Sequence, residues 1–170
     1  PTLLLADEPT TALDVIVQAG ILQLLDGLRR QGGMSLLIVS HDFAVVASVC
    51  DRLAVMYAGQ LVEEGPAQDV LFRSKHPYTR ALIDSVPKEG DRTRLRSIPG
   101  SPPDPGAIPS GCAFAPRCPH MTPECRSQEI PLIPVSTSQA SRCIHHDRLA
   151  RPRNGPDGSG ASMFGEAQLA

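Results

Sequence analysis

The run Leu3-Leu4-Leu5-Ala6-Asp7-Glu8-Pro9 constrains this 170-residue chain more than any other stretch. It is too short for a helix and stops at a proline, so it reads as a buried strand of a parallel sheet. Chain direction sets Asp7 and Glu8 at the carboxyl end of that strand, the edge where open α/β sheets keep their ligands. Two acids at the tip of a buried strand are costly unless a cation or a reacting group needs them. One reading is therefore a site for a metal and a proton acceptor. The other is a strand that ends in a solvated turn.

The next segments give the strand its neighbours. Asp14 is a good helix N-cap, and Val17, Ile21, Leu24 or Leu25 and Leu28 carry helical spacing from Val15 to about Arg30. Gly20 inside that helix costs about 1 kcal/mol relative to alanine. Arg29 and Arg30 suit the C-terminal end of the helix dipole, and Gly32-Gly33 stops the helix. Ser35 to Ser40 is a second continuous apolar run. Strand, helix and strand make a βαβ unit, with a right-handed crossover expected. The second strand leads into Ser40-His41-Asp42, and Asp42 can cap a short helix to about Val49. Arg52 to Tyr57 and Gln60 to Glu64 flank Ala58-Gly59 as a hairpin. Pro66 suits the first position of a helix to about Ser74. After Lys75-His76-Pro77-Tyr78-Thr79 a further helix is expected to about Val86.

From Pro87 the composition shifts. Asp91 to Arg96 is charged, and Ile98 to Gly111 is dense in Pro, Gly and Ser, which bars a long helix. Cys112, Cys118, Cys125 and Cys143 follow, separated by five, six and seventeen residues. Four cysteines in a segment with so little core suggest a staple. A cytosolic compartment disfavours disulfides, so a metal is the better staple, and four thiolates suit either zinc or an iron–sulfur cluster. The plain alternative is four reduced or adventitiously paired thiols. His145 and His146 are substitute ligands or simply exposed, and Cys50 reads as a small buried core residue.

Composition narrows the classes. Apolar residues make up 41% and aromatics 4%, with no tryptophan, so the core is aliphatic. A net charge of -2 offers no field for nucleic acid or an anionic membrane. No run of about 18 apolar residues is present to span a bilayer. The chain enters a strand almost at Pro1 and has few later strands to pair with it, so further sequence is expected upstream.

Taken in order and spacing, Leu3 to Glu8, Thr11 to Asp14 and His41 resemble the Walker B strand, D-loop and switch histidine of the nucleotide-binding subunit of an ABC transporter. The string His76-Pro77-Tyr78-Thr79 resembles in particular the ATPases of oligopeptide, dipeptide and nickel importers. Gly111 to Pro119 and Arg142-Cys143-Ile144-His145 are similar to the C-terminal extension of that group. The resemblance implies an α/β fold: a partial P-loop NTPase, the second half of the ABC ATPase RecA-like core, then an irregular cysteine-rich extension. It divides the chain into residues 1–86, the C-terminal part of the nucleotide-binding domain; 87–146, the four-cysteine extension; and 147–170, a disordered tail.

The resemblance also implies roles. Asp7 would hold Mg2+ through water and Glu8 would be the general base. His41 would contact the γ-phosphate of ATP and steady Glu8 and the attacking water. Asp14 is read both as an N-cap and as the D-loop residue at a dimer interface. In some relatives the four cysteines hold a four-iron four-sulfur cluster, here Cys112, Cys118, Cys125 and Cys143 with zinc as the alternative, and Arg117 could balance its charge. Gly20 and Ile16 depart from the usual Ala and Thr without touching the chemistry. The partners implied are a second ATP-binding subunit (in a homo- or heterodimer), two transmembrane permease subunits and, indirectly, an extracytoplasmic solute-binding protein, with no nucleic acid. The assembly would import peptides from the cytoplasmic face of the inner membrane, with this subunit peripheral to it. Nickel or another small solute stays open.

No G-x-x-x-x-G-K-[ST] loop, Q-loop glutamine or Leu-Ser-Gly-Gly segment occurs within these residues. The chain by itself is thus expected neither to bind ATP tightly nor to hydrolyse it. A competing reading is a non-catalytic metal-binding or interaction module. An ATPase for sugars or amino acids is disfavoured by His76 to Thr79 and by the cysteines.

Overall fold

Strand β1 (Leu3–Asp7), helix α1 (Val15–Gly32) and strand β2 (Ser35–Val39) follow one another as the apolar pattern predicts. The structure is a computed structural model and describes residues 1–86 and 97–149. It divides into two compact units, Pro1–Cys50 and a second beginning at Asp51. The architecture is mixed α/β.

In the first unit β1 and β2 are parallel neighbours, from Leu3 opposite Ser35 to Asp7 opposite Val39. Two adjacent parallel strands end side by side, so the residues after Asp7 and after Val39 emerge at the same edge. Asp14 caps α1 by accepting from the backbone N–H groups of Ile16 at 3.0 Å and Val17 at 2.9 Å. Such a cap stabilises a helix by about 1 kcal/mol. Gly33 closes the helix with φ 60°, a left-handed conformation that glycine adopts without steric cost. Helix α2 (Phe43–Val49) starts at Asp42, whose carboxylate accepts from the Val45 N–H at 3.3 Å.

Two expectations change here. The strands are not buried on both faces: Leu3, Leu5, Leu37 and Val39 are each more than half exposed. Helix α1 buries no residue fully, and Val15 and Ile16 lie open. The alternation in exposure is that of a sheet covered on one side only, although the apolar runs are those of a strand covered on both. Cys50 is half-buried, not a core residue, because it closes α2 at the edge of the unit.

The second unit is built on the hairpin of β3 (Arg52–Tyr57) and β4 (Gln60–Pro66), with a register shift between Val55 and Met56. Helices α3 (Ala67–Phe72) and α4 (Pro77–Asp84) follow, each shorter than the sequence suggests. Pro66 precedes α3 as its N-cap residue and does not open the helix. His76 caps α4: its Nδ1 accepts from the Tyr78 N–H at 3.1 Å. The cysteine-bearing region adds a short helix α5 (Glu124–Ser127) and two short strands, β5 (Ile133–Pro134) and β6 (Ala140–Ser141). Strand β6 pairs with β4, Glu63 opposite Ser141 and Glu64 opposite Ala140, giving the order β3-β4-β6-β5. Hairpin and cysteine region therefore share one sheet.

The core of this unit contains Val55, Val62, Val70, Ile83 and Phe114. Both tyrosines and Phe114 gather in it, with ring centroids 4.5 Å apart for Tyr57–Tyr78 and 5.4 Å for each tyrosine to Phe114. Residues 146–149 form a 3₁₀ turn that buries Leu149. The charged run Asp91 to Arg96, and the part of the expected tail beyond Leu149, lie outside the described residues.

Candidate functional site

At the common edge of β1 and β2 the chain leaves β1 through Glu8, whose φ is 49°. That left-handed conformation is uncommon for a residue with a side chain and is found at sites where the surroundings enforce it. The Glu8 N–H still donates to the Val39 carbonyl at 2.8 Å, so the strand pairing runs up to the turn itself. The turn closes when the Thr11 N–H donates to the Glu8 carbonyl at 3.1 Å.

The Glu8 carboxylate then has two side-chain partners. The Thr11 hydroxyl donates to Oε2. His41 Nδ1 lies 2.9 Å from Oε1 and 2.7 Å from Oε2. The Thr11 and His41 hydrogen bonds hold the Glu8 carboxyl below the usual carboxylate range, so it is charged at neutral pH. In return, the hydrogen bond and charge of Glu8 raise His41 above the ordinary histidine value. Because Nδ1 faces the carboxylate, Nε2 is the ring nitrogen left for a ligand. Asp7 is exposed one residue earlier, and Asp14 is exposed with its carboxylate occupied by the cap of α1. The arrangement provides a fixed anionic acceptor and an imidazole that steadies it, with an exposed carboxylate one residue earlier in the chain. Thr11 opens the segment that resembles the D-loop, but its bond to Glu8 is not expected from the sequence. A hydroxyl three residues after an acid that precedes proline was the available signal.

In the second unit the four cysteines Cys112, Cys118, Cys125 and Cys143 line one small cavity, together with His76 and Arg142. The wall is tied by the Cys112 N–H, which donates to the Cys125 carbonyl at 2.8 Å. Burial, reinforced by the other thiols, pushes the Cys112 and Cys118 thiols up, and Cys143 up to about 12. As they stand, the thiols of Cys112, Cys118 and Cys143 are protonated at neutral pH. Among the described residues no group of three or more His, Cys, Asp or Glu side chains is arranged to hold a metal ion. The tetrahedral set that zinc needs is therefore not formed. His145 lines the cavity, but its Nε2 is bonded to the Thr122 hydroxyl at 3.1 Å, and His146 pairs with Asp147.

The cation at this cavity is Arg142, not Arg117. Arg142 donates to the Leu61 carbonyl at 2.9 Å and the Ile130 carbonyl at 2.7 Å, which anchors it on the cavity wall. Arg117 instead donates to the carbonyls of Pro99 and Ile98 and to the Tyr57 hydroxyl, and lies over the Tyr57 and Phe114 rings. Its guanidinium is occupied in pinning residues 98–99 to the aromatic cluster.

Gly111 makes the wall possible. A Cβ there would meet the Cys125 carbonyl oxygen at 2.3 Å and the Arg126 Cα at 2.9 Å. Both are backbone atoms and cannot swing aside. Gly111→Ala is expected to destabilise the second unit by about 3 kcal/mol, the upper range for overpacking. Denaturant melts of variant and parent test this, and an unchanged midpoint would mean that the wall yields.

Residues 62–125 match the family described as the oligopeptide/dipeptide transporter, C-terminal region. A protein of Brucella ovis named as a peptide import ATP-binding protein is 46% identical over 157 residues, covering 88% of this chain and 46% of that protein. A second of that name, from Brucella abortus, is 46% identical over 144 residues, covering 84% of this chain and 43% of its own length. The chain thus spans about half the length of these relatives. Among solved structures, cbiO1 of Clostridium perfringens, described as part of the ABC transporter complex cbiONQ, is 33% identical over 41% of this chain and 28% of its own. At a TM-score of 0.39 that likeness is too slight to inform the fold.

Proposed function

We propose that this chain, of which residues 62–125 match the oligopeptide/dipeptide transporter C-terminal region, is the base-bearing part of an ATP-hydrolysing subunit that powers peptide import. The observation that carries the reading is the Glu8 carboxylate at the tip of a parallel strand, held by Thr11 and His41. In phosphoryl transfer to water the protein has little covalent chemistry to perform, and positioning with electrostatic stabilisation does most of the work. Glu8 takes the proton of a water molecule as its oxygen bonds to the γ-phosphorus, and the bond from that phosphorus to the ADP oxygen breaks. His41 holds the carboxylate through Nδ1 and turns Nε2 toward the γ-phosphate. With Nδ1 donating to Glu8, Nε2 can donate to phosphate only from the imidazolium, and the charge of Glu8 favours that form. Asp7 is the residue for Mg2+, which neutralises phosphate charge when bound. Asp14 lies at the contact with a second ATP-binding subunit.

The partners proposed are that second subunit, two transmembrane permeases and, through them, an extracytoplasmic solute-binding protein. No helix among the described residues is long and apolar enough to cross a membrane. A peripheral position on the cytoplasmic face of the membrane agrees with that. The exposed leucines of β1 and β2 suit a sheet that is covered by further segments of a longer protein.

For the second unit, we propose that the four cysteines hold an iron–sulfur cluster. A cluster is gripped by its thiolates at several separate irons, so its ligands need not converge on one ion. Four thiols around one cavity, with a cation on its wall, support this reading, and zinc is the alternative. Deletion of the gene tests the transport reading. Uptake of labelled di- and oligopeptides should be lost, restored by the wild-type gene and not by Glu8→Gln. Unchanged uptake in the deletion strain, with nickel uptake lost instead, would move the reading to another solute.

A further inference from the structure

The His76 ring is almost fully buried, with 1% of its surface exposed. Its Nδ1 accepts from the Tyr78 N–H, so the proton of the neutral ring resides on Nε2. Burial keeps the ring neutral, its pKa lowered to about 4. Nε2 is buried and makes no hydrogen bond of good geometry, although the Arg142 backbone lies close to the ring. A buried donor left in that state costs about 1–3 kcal/mol. The same ring lines the four-cysteine cavity. Its position is set by the cap of α4, and Glu63 fixes the backbone from the other side by accepting from the His76 N–H at 3.1 Å. A donor that is rigidly placed, dehydrated and unsatisfied at the wall of a thiol-lined cavity points to an acceptor that arrives with the cavity's occupant.

We propose that His76 is a positioning residue of the cysteine cavity, whose Nε2–H donates a hydrogen bond to a thiolate or sulfide sulfur of the bound cluster. The proposal rests on the iron–sulfur reading of the second unit. Hydrogen bonds to cluster sulfurs spread the negative charge of the reduced state and raise the reduction potential. Loss of the donor should therefore lower it.

The test uses the full-length protein as its gene encodes it, loaded anaerobically with ferrous iron and sulfide. Three forms are compared: wild type, His76→Phe and His76→Asn. The asparagine can still cap α4 through its side-chain oxygen, but it is too short to carry a donor to the cavity. Iron and sulfide content, visible absorption and the midpoint potential in a reductive titration are read. The inference expects all three to load and both variants to shift to a more negative potential by a similar amount. A loaded His76→Asn protein that keeps the wild-type potential overturns the role of His76 and leaves the cluster reading standing. So does a variant that melts like wild type yet takes up no iron, because a donor of this kind is not a ligand. A wild-type protein that takes up neither iron nor sulfide overturns the cluster reading, and the role of His76 with it.

Discussion

Replacing Glu8 by glutamine in the protein that contains this chain is expected to lower Mg-ATP turnover by about 10²–10⁴-fold, the range for removal of a general base. Nucleotide binding should be kept. Glutamine preserves the shape of the side chain and can still accept from Thr11 and His41 through its one oxygen. It cannot take the proton of the attacking water. His41→Ala should also lower turnover, through loss of both the contact to Glu8 and the donor from Nε2. Turnover and ATP affinity, measured side by side, separate these outcomes from misfolding. A Glu8→Gln protein with wild-type turnover would remove the carboxylate from the mechanism.

The same pair gives a pH dependence with a definite sign. Glu8 is lowered from 4.5, so its part of the contact is present above that value and fades as pH falls through the lowered one. His41 is raised from 6.5, so its part is complete below that value and is lost as pH rises through the raised one. Between 4.5 and 6.5 both charges are in place, and the window extends beyond these limits on both sides. Turnover should fall on the alkaline side as the imidazolium deprotonates, and that limb should be absent from the residual activity of His41→Ala.

Glu63→Ala is the substitution expected to cost the fold most, on the order of 3 kcal/mol or more. Glu63 is fully buried. Its carboxylate accepts from the Lys75 N–H at 2.6 Å, the His76 N–H at 3.1 Å and Gln139 Nε2 at 2.9 Å. Truncation would leave these donors without their acceptor in a site that water does not reach. It would also cut a side chain of β4 that joins the loop before α4 to the residue leading into β6. Glu63→Gln keeps the volume but turns an amide toward one of the N–H donors, and about 1–2 kcal/mol is expected. Burial raises the Glu63 carboxyl above 4.5. A raised group contributes stability that is present below its unfolded value and is lost as pH rises through the folded one. The stability of wild type relative to Glu63→Gln should therefore decline as pH rises above 4.5. Melts across that range test the sign, and a relative gain with rising pH would contradict it.

What could be read from the sequence was mostly local or set by chain direction. The cap at Asp14, helix α1 and its stop at Gly33 are each decided within a few residues. The meeting of Glu8 with the residues after β2 follows from a βαβ unit, because parallel neighbours end at one edge. Thr11 was harder to see: its hydroxyl reaches the carboxylate only because the backbone turns left-handed at Glu8. Strand β6 is two residues long, and nothing in Ala140-Ser141 announces that it will pair with β4. Glu63 looks like an ordinary polar residue of a hairpin until Gln139, far along the chain, closes over it. Arg117 and Arg142 each precede a cysteine, and only the packing decides which of them faces the cavity.

We propose that Glu8 and His41 are the base and the switch histidine of an ATPase whose phosphate-binding loop is not among these 170 residues. The most direct measurement is Mg-dependent ATP hydrolysis by these 170 residues alone, set beside the same residues together with whatever in-frame sequence precedes them in the gene. Turnover is expected in the longer protein, abolished by Glu8→Gln, and none in the 170 residues alone. Mg-dependent turnover by the shorter chain, itself abolished by Glu8→Gln, would contradict the proposal.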